Sequence, residues 1–229
     1  MALKLYGHPV SMCTRRVLLV LAEKGIDFEF ISVDFFTGEQ KRAPYDEMMP
    51  FGQIPALEDG ALRLYGKLSQ DIVTTAPSRA IARYLASKYR DQGTDLLPAV
   101  DDAQASALFE QFASVEYSQF YDPALQVLIM KLFYPAGARG EHSDEAATRD
   151  SIDRLHNKLN VLDKILSTQD YFAGPQFTIV DAFYMPVISS LFDAGEGPAI
   201  KQRENLASWW ERVSNRESWK KITKTESKA

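Results

Sequence analysis

Two side chains near the start of the chain have the chemistry of an anion site. Ser11 follows the turn Gly7-His8-Pro9-Val10 and stands where an apolar-periodic run begins, so it is placed to cap a helix running to about Lys24. A hydroxyl at a helix N-terminus sits among unpaired N–H groups at the positive end of the helix field, which favours negative charge. A thiolate brought there has its pKa lowered by that field. On its own residues Ser11 is either a donor to such an anion or an ordinary cap. Cys13 lies in the same first turn, and a depressed thiol there offers a second chemistry, thiol–disulfide exchange. It sits roughly 200° further round the helix than Ser11, and reads equally as a partly buried small hydrophobe.

The third feature is Pro50–Tyr65, PFGQIPALEDGALRLY. Asp59-Gly60 between two apolar runs predicts a hairpin with a type I′ turn, because that turn needs positive φ. Pro55 removes a backbone donor just before the first strand and can hold a cis bond. The N–H and carbonyl of Ile54 are then free for something extended. This edge is either a plain hairpin with a rigid lead-in or a place where a short peptide lies like an added strand.

The elements that must position these residues follow from periodicity. Leu3–Tyr6 reads as a strand, and Val17, Leu18, Val20 and Leu21 give the Ser11 helix a buried face that Gly25 ends. Asp27–Val33 alternates as a second strand, so the chain opens strand–helix–strand, the parallel unit. A short helix over Gln40–Met48, the hairpin and a helix from about Ser78 complete an α/β domain over residues 1–90. Arg90–Ala99, with Gly93 and Pro98, reads as a linker. Residues 91–229 carry helix signals only. These are Asp101–Lys131 with a kink at Pro123, a loop over Pro135–His142, and an amphipathic helix over Ser143–Leu166 with Ile152, Leu155, Leu159, Leu162 and Leu166 three or four apart. Thr178 and Asp181 form a capping box for the next helix. Leu206–Trp219 is the last helix, and the charged residues after it are expected to fray.

Composition narrows the function. The 229 residues carry a formal charge of −5 and are 45% hydrophobic, which fits a globular protein with a core and argues against a nucleic-acid binder. No apolar run reaches the ~18 residues of a membrane span. Met1–Tyr6 does not open like a signal peptide, and the single cysteine has no partner for an internal disulfide, so a reducing, cytoplasmic location is expected.

The stretches LKLYGHPVSMCTRRV, PFGQIPALEDG and SRAIARYL together resemble the cytosolic glutathione transferases, most closely the phi class and its fungal relatives. The resemblance covers nearly the whole chain. It implies a thioredoxin-like domain followed by an all-helical one, a homodimer, and glutathione as co-substrate with no metal. The reaction implied is attack of the glutathione thiolate on a small hydrophobic electrophile, in detoxification. Ser11 matches the serine that donates to the thiolate. Lys41 matches a lysine that meets the glycyl carboxylate, and Gln40 stands where many phi enzymes have histidine. Gln53 and the Ile54 backbone match the groups that hold the middle of the tripeptide. Each polar residue of this set equally reads as solvated surface. Phe51 matches the aromatic key of related dimers. The electrophile site would lie between the domains, with Met12, Phe35 and Phe36 facing Tyr117, Phe120 and Tyr121. Such side chains make adaptable apolar walls, and each equally reads as core. In the reductase branches of the family the cysteine takes the place of Ser11, so Cys13 leaves that alternative at a shifted position. A non-catalytic ligand-binding protein is the other alternative.

One departure stands out. Where the family reads Leu-Tyr-Glu-Ser-Arg, this chain reads Leu64-Tyr65, then Gly66–Pro77, then Ser78-Arg79. The replaced glutamate and the following serine hold the γ-glutamyl end of glutathione, so Ser78 remains and the glutamate does not. Two readings stay open: a retained intron, or a genuine variant whose Asp71 supplies the carboxylate.

Overall fold

The computed structural model describes residues 3–65, 76–133 and 145–224. The chain forms two compact units, Met1–Leu96 with Glu217–Ala229, and Leu97–Arg216. Of the inserted stretch Gly66–Pro77, residues 66–75, with Asp71, lie outside the described residues, as does the expected loop over Pro135–His142.

In the first unit β1 (Lys4–Gly7) runs parallel to β2 (Glu29–Ser32) and antiparallel to β3 (Ala56–Asp59), which pairs with β4 (Leu62–Leu64). The strand order is β2-β1-β3-β4. Leu5 on the central strand stands opposite Phe30 and Leu57, and Leu5 and Leu57 are fully buried. The helix α1 (Met12–Lys24) has Ser11 as its N-cap and Gly25 as its C-cap, at φ 61°. The N–H of Ile26 reaches Leu21 O at 3.0 Å and that of Gly25 reaches Ala22 O at 3.2 Å. This is the paired closure that needs a left-handed residue at the helix end, and glycine supplies it without a Cβ penalty.

Three details differ from the sequence reading. The hairpin loop is Gly60-Ala61, not Asp59-Gly60: Asp59 stays in the ladder opposite Leu62, and only Gly60 takes positive φ among the two predicted turn residues. The Asp59 carboxylate is held there by Tyr84 Oη at 2.6 Å and by Lys88 Nζ. The short helix expected over Gln40–Met48 is divided into a 3₁₀ turn, Glu39–Lys41, and α2 (Tyr45–Met48), because Pro44 bars a continuous helix. The last predicted helix is also two. Asn215 closes α9 (Glu204–Ser214), its Nδ2 donating to Glu211 O at 2.9 Å. The chain then restarts as α10 (Glu217–Lys224), which packs on α1 in the first unit. Trp219 is buried and Ser218 Oγ donates to Glu23 Oε1, and Lys220–Lys224, part of the stretch expected to fray, continue α10 as helix. The other helix of this unit is α3 (Ala76–Lys88), packed against α1.

The second unit is helical throughout its described elements. The helix α4 (Ala103–Val115) passes through a π-helical stretch, Glu116–Tyr121, into α5 (Asp122–Leu128) and a further π stretch, Ile129–Phe133. Pro123 stands two residues past the end of the first of these: the wider turn is where the ladder adapts to a missing N–H. In α6 (Glu145–Leu166) Leu155, Leu159, Leu162 and Leu166 are buried, as their spacing predicts. The centre of the unit is α7 (Ile179–Asp193), in which all but three residues are buried. A helix apolar on every side belongs in the middle, and α4, α5 and α9 pack around it, with α8 (Gly197–Lys201) following it. The capping box is present. Thr178 N donates to Asp181 Oδ2 at 3.0 Å and Val180 N to Thr178 Oγ1 at 3.2 Å.

Candidate active site

Ser11 is half-buried, and its Oγ accepts from Thr14 N at 3.3 Å. With its oxygen engaged as acceptor, its hydrogen remains available to donate. Thr14 is thereby satisfied, whereas the N–H groups of Met12 and Cys13 have no partner among the described residues. No acidic side chain occupies the first turn of α1, so no carboxylate competes for the positive end of the helix. The approach to this turn is tight. A Cβ on Gly7 would stand 2.6 Å from Thr14 Cγ2, which seats the end of β1 against the helix start. Cys13 is half-buried, with Sγ 3.8 Å from Arg16 Nη1.

Gln40 and Lys41 are brought beside Gly52 and hence Gln53. A Cβ on Gly52 would stand 2.5 Å from Gln40 O and 3.3 Å from Lys41 Cγ, and Gly52 has φ 51°. Gly52→Ala therefore combines a left-handed alanine with a backbone clash. We expect it to lower unfolding stability by at least ~1–2 kcal/mol, read as a fall in the urea midpoint, and to weaken any ligand that uses Lys41 and Gln53. Gln53 O accepts from Tyr45 Oη at 2.6 Å, and burial pushes the Tyr45 phenol up, keeping it a donor. The side-chain oxygens of Gln40 and Gln53 are buried without a partner. The Ile54–Pro55 bond is cis, and neither backbone group of Ile54 has a partner among the described residues. That leaves them open to an extended ligand. Lys41 is exposed.

Ser78 is fully buried, and its Oγ accepts from Arg16 Nη1 at 2.8 Å. Phe35 and Phe36 stack at 4.2 Å between ring centroids, and the ring of His8, whose carbonyl accepts from Ser11 N, meets both edge-on at 5.3 and 5.6 Å. Phe36 is 64% exposed and Met12 is half-buried. In the second unit Tyr117 is exposed, while Phe120 and Tyr121 are buried. Phe120 lies against Tyr184 with centroids 5.0 Å apart, a core contact of the helical unit. Arg16 and His8 were not singled out from the sequence. Arg16 did carry a signal, since it is a charge one residue before the buried Val17 and four before the buried Val20, and a buried charge needs a partner. His8 carried none.

A four-stranded mixed sheet with a helix-capping serine after its first strand, followed by an all-helical unit, is the architecture of a glutathione transferase. The family models agree: the glutathione S-transferase N-terminal domain matches residues 1–87 and the C-terminal domain residues 120–217. The chain is 37% identical over 223 residues to glutathione S-transferase F12 of Arabidopsis thaliana, covering 97% of each. It superposes on glutathione transferase F7 of Populus trichocarpa with TM-score 0.84 at 33% identity, covering 97% of this chain and 98% of that one. A maize glutathione S-transferase I, solved in complex with an atrazine glutathione conjugate, matches with TM-score 0.85 at 26% identity and full coverage of both chains. The chain belongs to the glutathione S-transferase family, with its phi-class members among its relatives.

Proposed function

We propose that this protein joins glutathione to small hydrophobic electrophiles. The observation that carries the reading is Ser11: a cap whose oxygen is held by Thr14 N and whose proton is free to donate, at a helix start without acidic side chains. The glutathione thiol gives its proton to water, and the thiolate is held by the Ser11 hydroxyl and the first-turn N–H groups. With an aryl halide, sulfur attacks the ring carbon, the S–C bond forms and halide leaves with the C–halogen pair. Lys41 takes the glycyl carboxylate, aided by Gln40. The Ile54 backbone and Gln53 hold the middle of the tripeptide, and Ser78 takes the γ-glutamyl carboxylate. For the apolar electrophile surface the candidates are Met12, Phe35 and Phe36 in the first unit and Tyr117, Phe120 and Tyr121 in the second, of which Phe36 and Tyr117 are exposed. The test is turnover of glutathione with an aryl halide, monitored as conjugate. It should persist after iodoacetamide treatment, because Cys13 has no part in it.

The same reading extends to assembly and setting. We take the protein to act as a cytoplasmic homodimer in detoxification. Phe51, half-buried with its ring 6.0 Å from that of Tyr65, is the candidate key into the partner. A monomeric mass by light scattering at micromolar concentration would remove the dimer from the proposal.

The lost glutamate gives a further expected result. Replacing Gly66–Pro77 by a single Glu restores the partner for the ligand's ammonium group. A charge-assisted hydrogen bond contributes about 1.5–3 kcal/mol, so the edited chain should bind glutathione at least about tenfold more tightly by titration calorimetry. Equal affinities would show that the inserted stretch supplies its own carboxylate, with Asp71 the first residue to change.

A further inference from the structure

We propose that Thr14 is a positioning residue for the reaction: it fixes where the Ser11 hydroxyl stands, a role that rests on the glutathione reading above. Thr14 is fully buried in the first turn of α1. Its backbone N–H donates to Ser11 Oγ at 3.3 Å, and its side-chain Oγ1 accepts from His8 N at 3.3 Å. Ser11 N in turn donates to His8 O at 3.0 Å. These three bonds close a circuit from Ser11 to His8, from His8 to Thr14 and from Thr14 back to Ser11. They run in one direction round it, so each residue both gives and receives. Pro9 has no N–H, and Val10 N reaches His8 Nδ1 at 3.4 Å. The N–H groups of His8, Val10 and Ser11 are thus all engaged, and those of Met12 and Cys13 are the donors left at the helix start.

One member of this circuit is a side-chain atom that can be removed without touching Ser11. The helix brings Thr14 N to the cap whatever the side chain is. Thr14 Oγ1, in contrast, ties the helix to the peptide on which Ser11 N is itself bonded. A Cβ on Gly7 would stand 2.7 Å from this oxygen, so the end of β1 seats it from the strand side. Arg15 Nε holds the neighbouring Pro9 O at 3.0 Å. The turn as a whole therefore keeps a strap when Thr14 is changed, and what moves is the His8 peptide with the serine bonded to it. A hydrogen bond weakens steeply as it loses alignment, and a displacement of about 1 Å near the reacting atoms can cost about 100-fold. Thr14 touches no reacting atom. Its effect belongs in the ionisation of the bound thiol rather than in the hold on the tripeptide.

The experiment follows that ionisation in the whole chain, by the ultraviolet absorbance of bound thiolate and by the pH profile of kcat with an aryl halide. Urea midpoints are recorded for each variant. Thr14→Val puts a methyl in place of the oxygen. We expect it to move the ionisation of bound glutathione up by about 1 pH unit, a tenfold loss of thiolate below the midpoint. The rate kcat should fall in step, with KM for glutathione changing no more than about twofold. Thr14→Ser keeps the oxygen and should stay within about 0.3 pH unit of wild type. In Ser11→Ala the ionisation is already moved up, and adding Thr14→Val should move it no further, because both changes act through one hydroxyl. Thr14→Ala sets no γ-methyl against His8 N and carries the test if the valine variant does not fold. Unchanged ionisation in folded Thr14→Val or Thr14→Ala would overturn the proposal. So would a serine variant as impaired as the valine one, or a further shift in the Ser11→Ala background. A wild-type chain that neither ionises nor turns over glutathione would instead overturn the glutathione reading itself, before any variant is compared.

Discussion

Ser11→Ala should slow conjugation of an aryl halide by roughly 30- to 1000-fold, the effect of removing a donor worth about 2–4 kcal/mol at a developing or resident anion. The hydroxyl has two partners in this account, Thr14 N on its oxygen and the thiolate on its hydrogen, so alanine removes both. Loss of the cap should lower stability by about 1 kcal/mol. Two further variants separate the roles. Ser11→Gly costs a cap only a few tenths of a kcal/mol yet removes the donor, so its rate should fall as far as that of alanine. Ser11→Thr keeps both hydroxyl functions and should retain most of the rate. Full activity in Ser11→Ala, with loss of activity in Cys13→Ser, would reverse the assignment and make the protein a thiol reductase.

The largest stability effect should come from Asp181. Its carboxylate is wholly buried and collects Phe172 N at 3.1 Å, Trp209 Nε1 at 2.9 Å and Thr178 N at 3.0 Å. Asp181→Ala leaves three donors unpaired around a small void. Each orphaned buried donor costs about 1–3 kcal/mol; allowing for relaxation, we expect a loss of about 4 kcal/mol in urea unfolding and a fall in Tm of about 10 °C. A loss below about 1 kcal/mol would mean that the donors find water, and the site would not be the anchor of the helical unit.

The same residue gives the fold a pH dependence. Burial is the largest influence and pushes the Asp181 carboxyl up to about 6, against the downward pull of its donors. The folded pKa then lies above the unfolded one. The folded state binds the extra proton between about pH 4 and 6, so this group's contribution is complete below about pH 4 and is lost as pH rises through about 6. Thr178 Oγ1, 3.4 Å from Oδ2, can donate to the carboxylate or accept from the acid. Asp181→Asn removes the titration. The stability of wild type minus that of Asp181→Asn should therefore fall by about 3 kcal/mol between pH 4 and pH 7. A difference that rises with pH would show that the donors, not burial, set the pKa.

Much of this protein was legible because its signals are local. The Ser11 cap, the Gly25 stop and the Thr178–Asp181 box each lie within a few residues of their partners, and a capping bond forms wherever those residues meet a helix end. The buried leucines of α6 follow from spacing alone. The glutathione residues were legible in another way, through resemblance: Gln40, Lys41, Gln53 and Ser78 are ordinary polar residues until a family pattern assigns them. Local reading erred where two local rules competed. Pro44 divided a weak helix, Asn215 ended one that periodicity alone would have continued, and the hairpin closed one residue later than the Asp-Gly pair predicts.

The sequence by itself determined the order of the main elements, the ends of the helices closed by Ser11, Gly25 and Thr178, the placement of a hydroxyl at an anion-favouring helix start, and the family. Tertiary structure alone decided which distant groups meet. It put Arg16 on Ser78, Gly52 against Gln40 O, Phe172 N and Trp209 on Asp181, and α10 back on α1. Caps and periodicity are bonds and burial between near neighbours, where the chain can reach only a few partners. A buried guanidinium or carboxylate must instead find its partner among all the polar groups that packing carries inside, and that choice is made only when the elements close on one another.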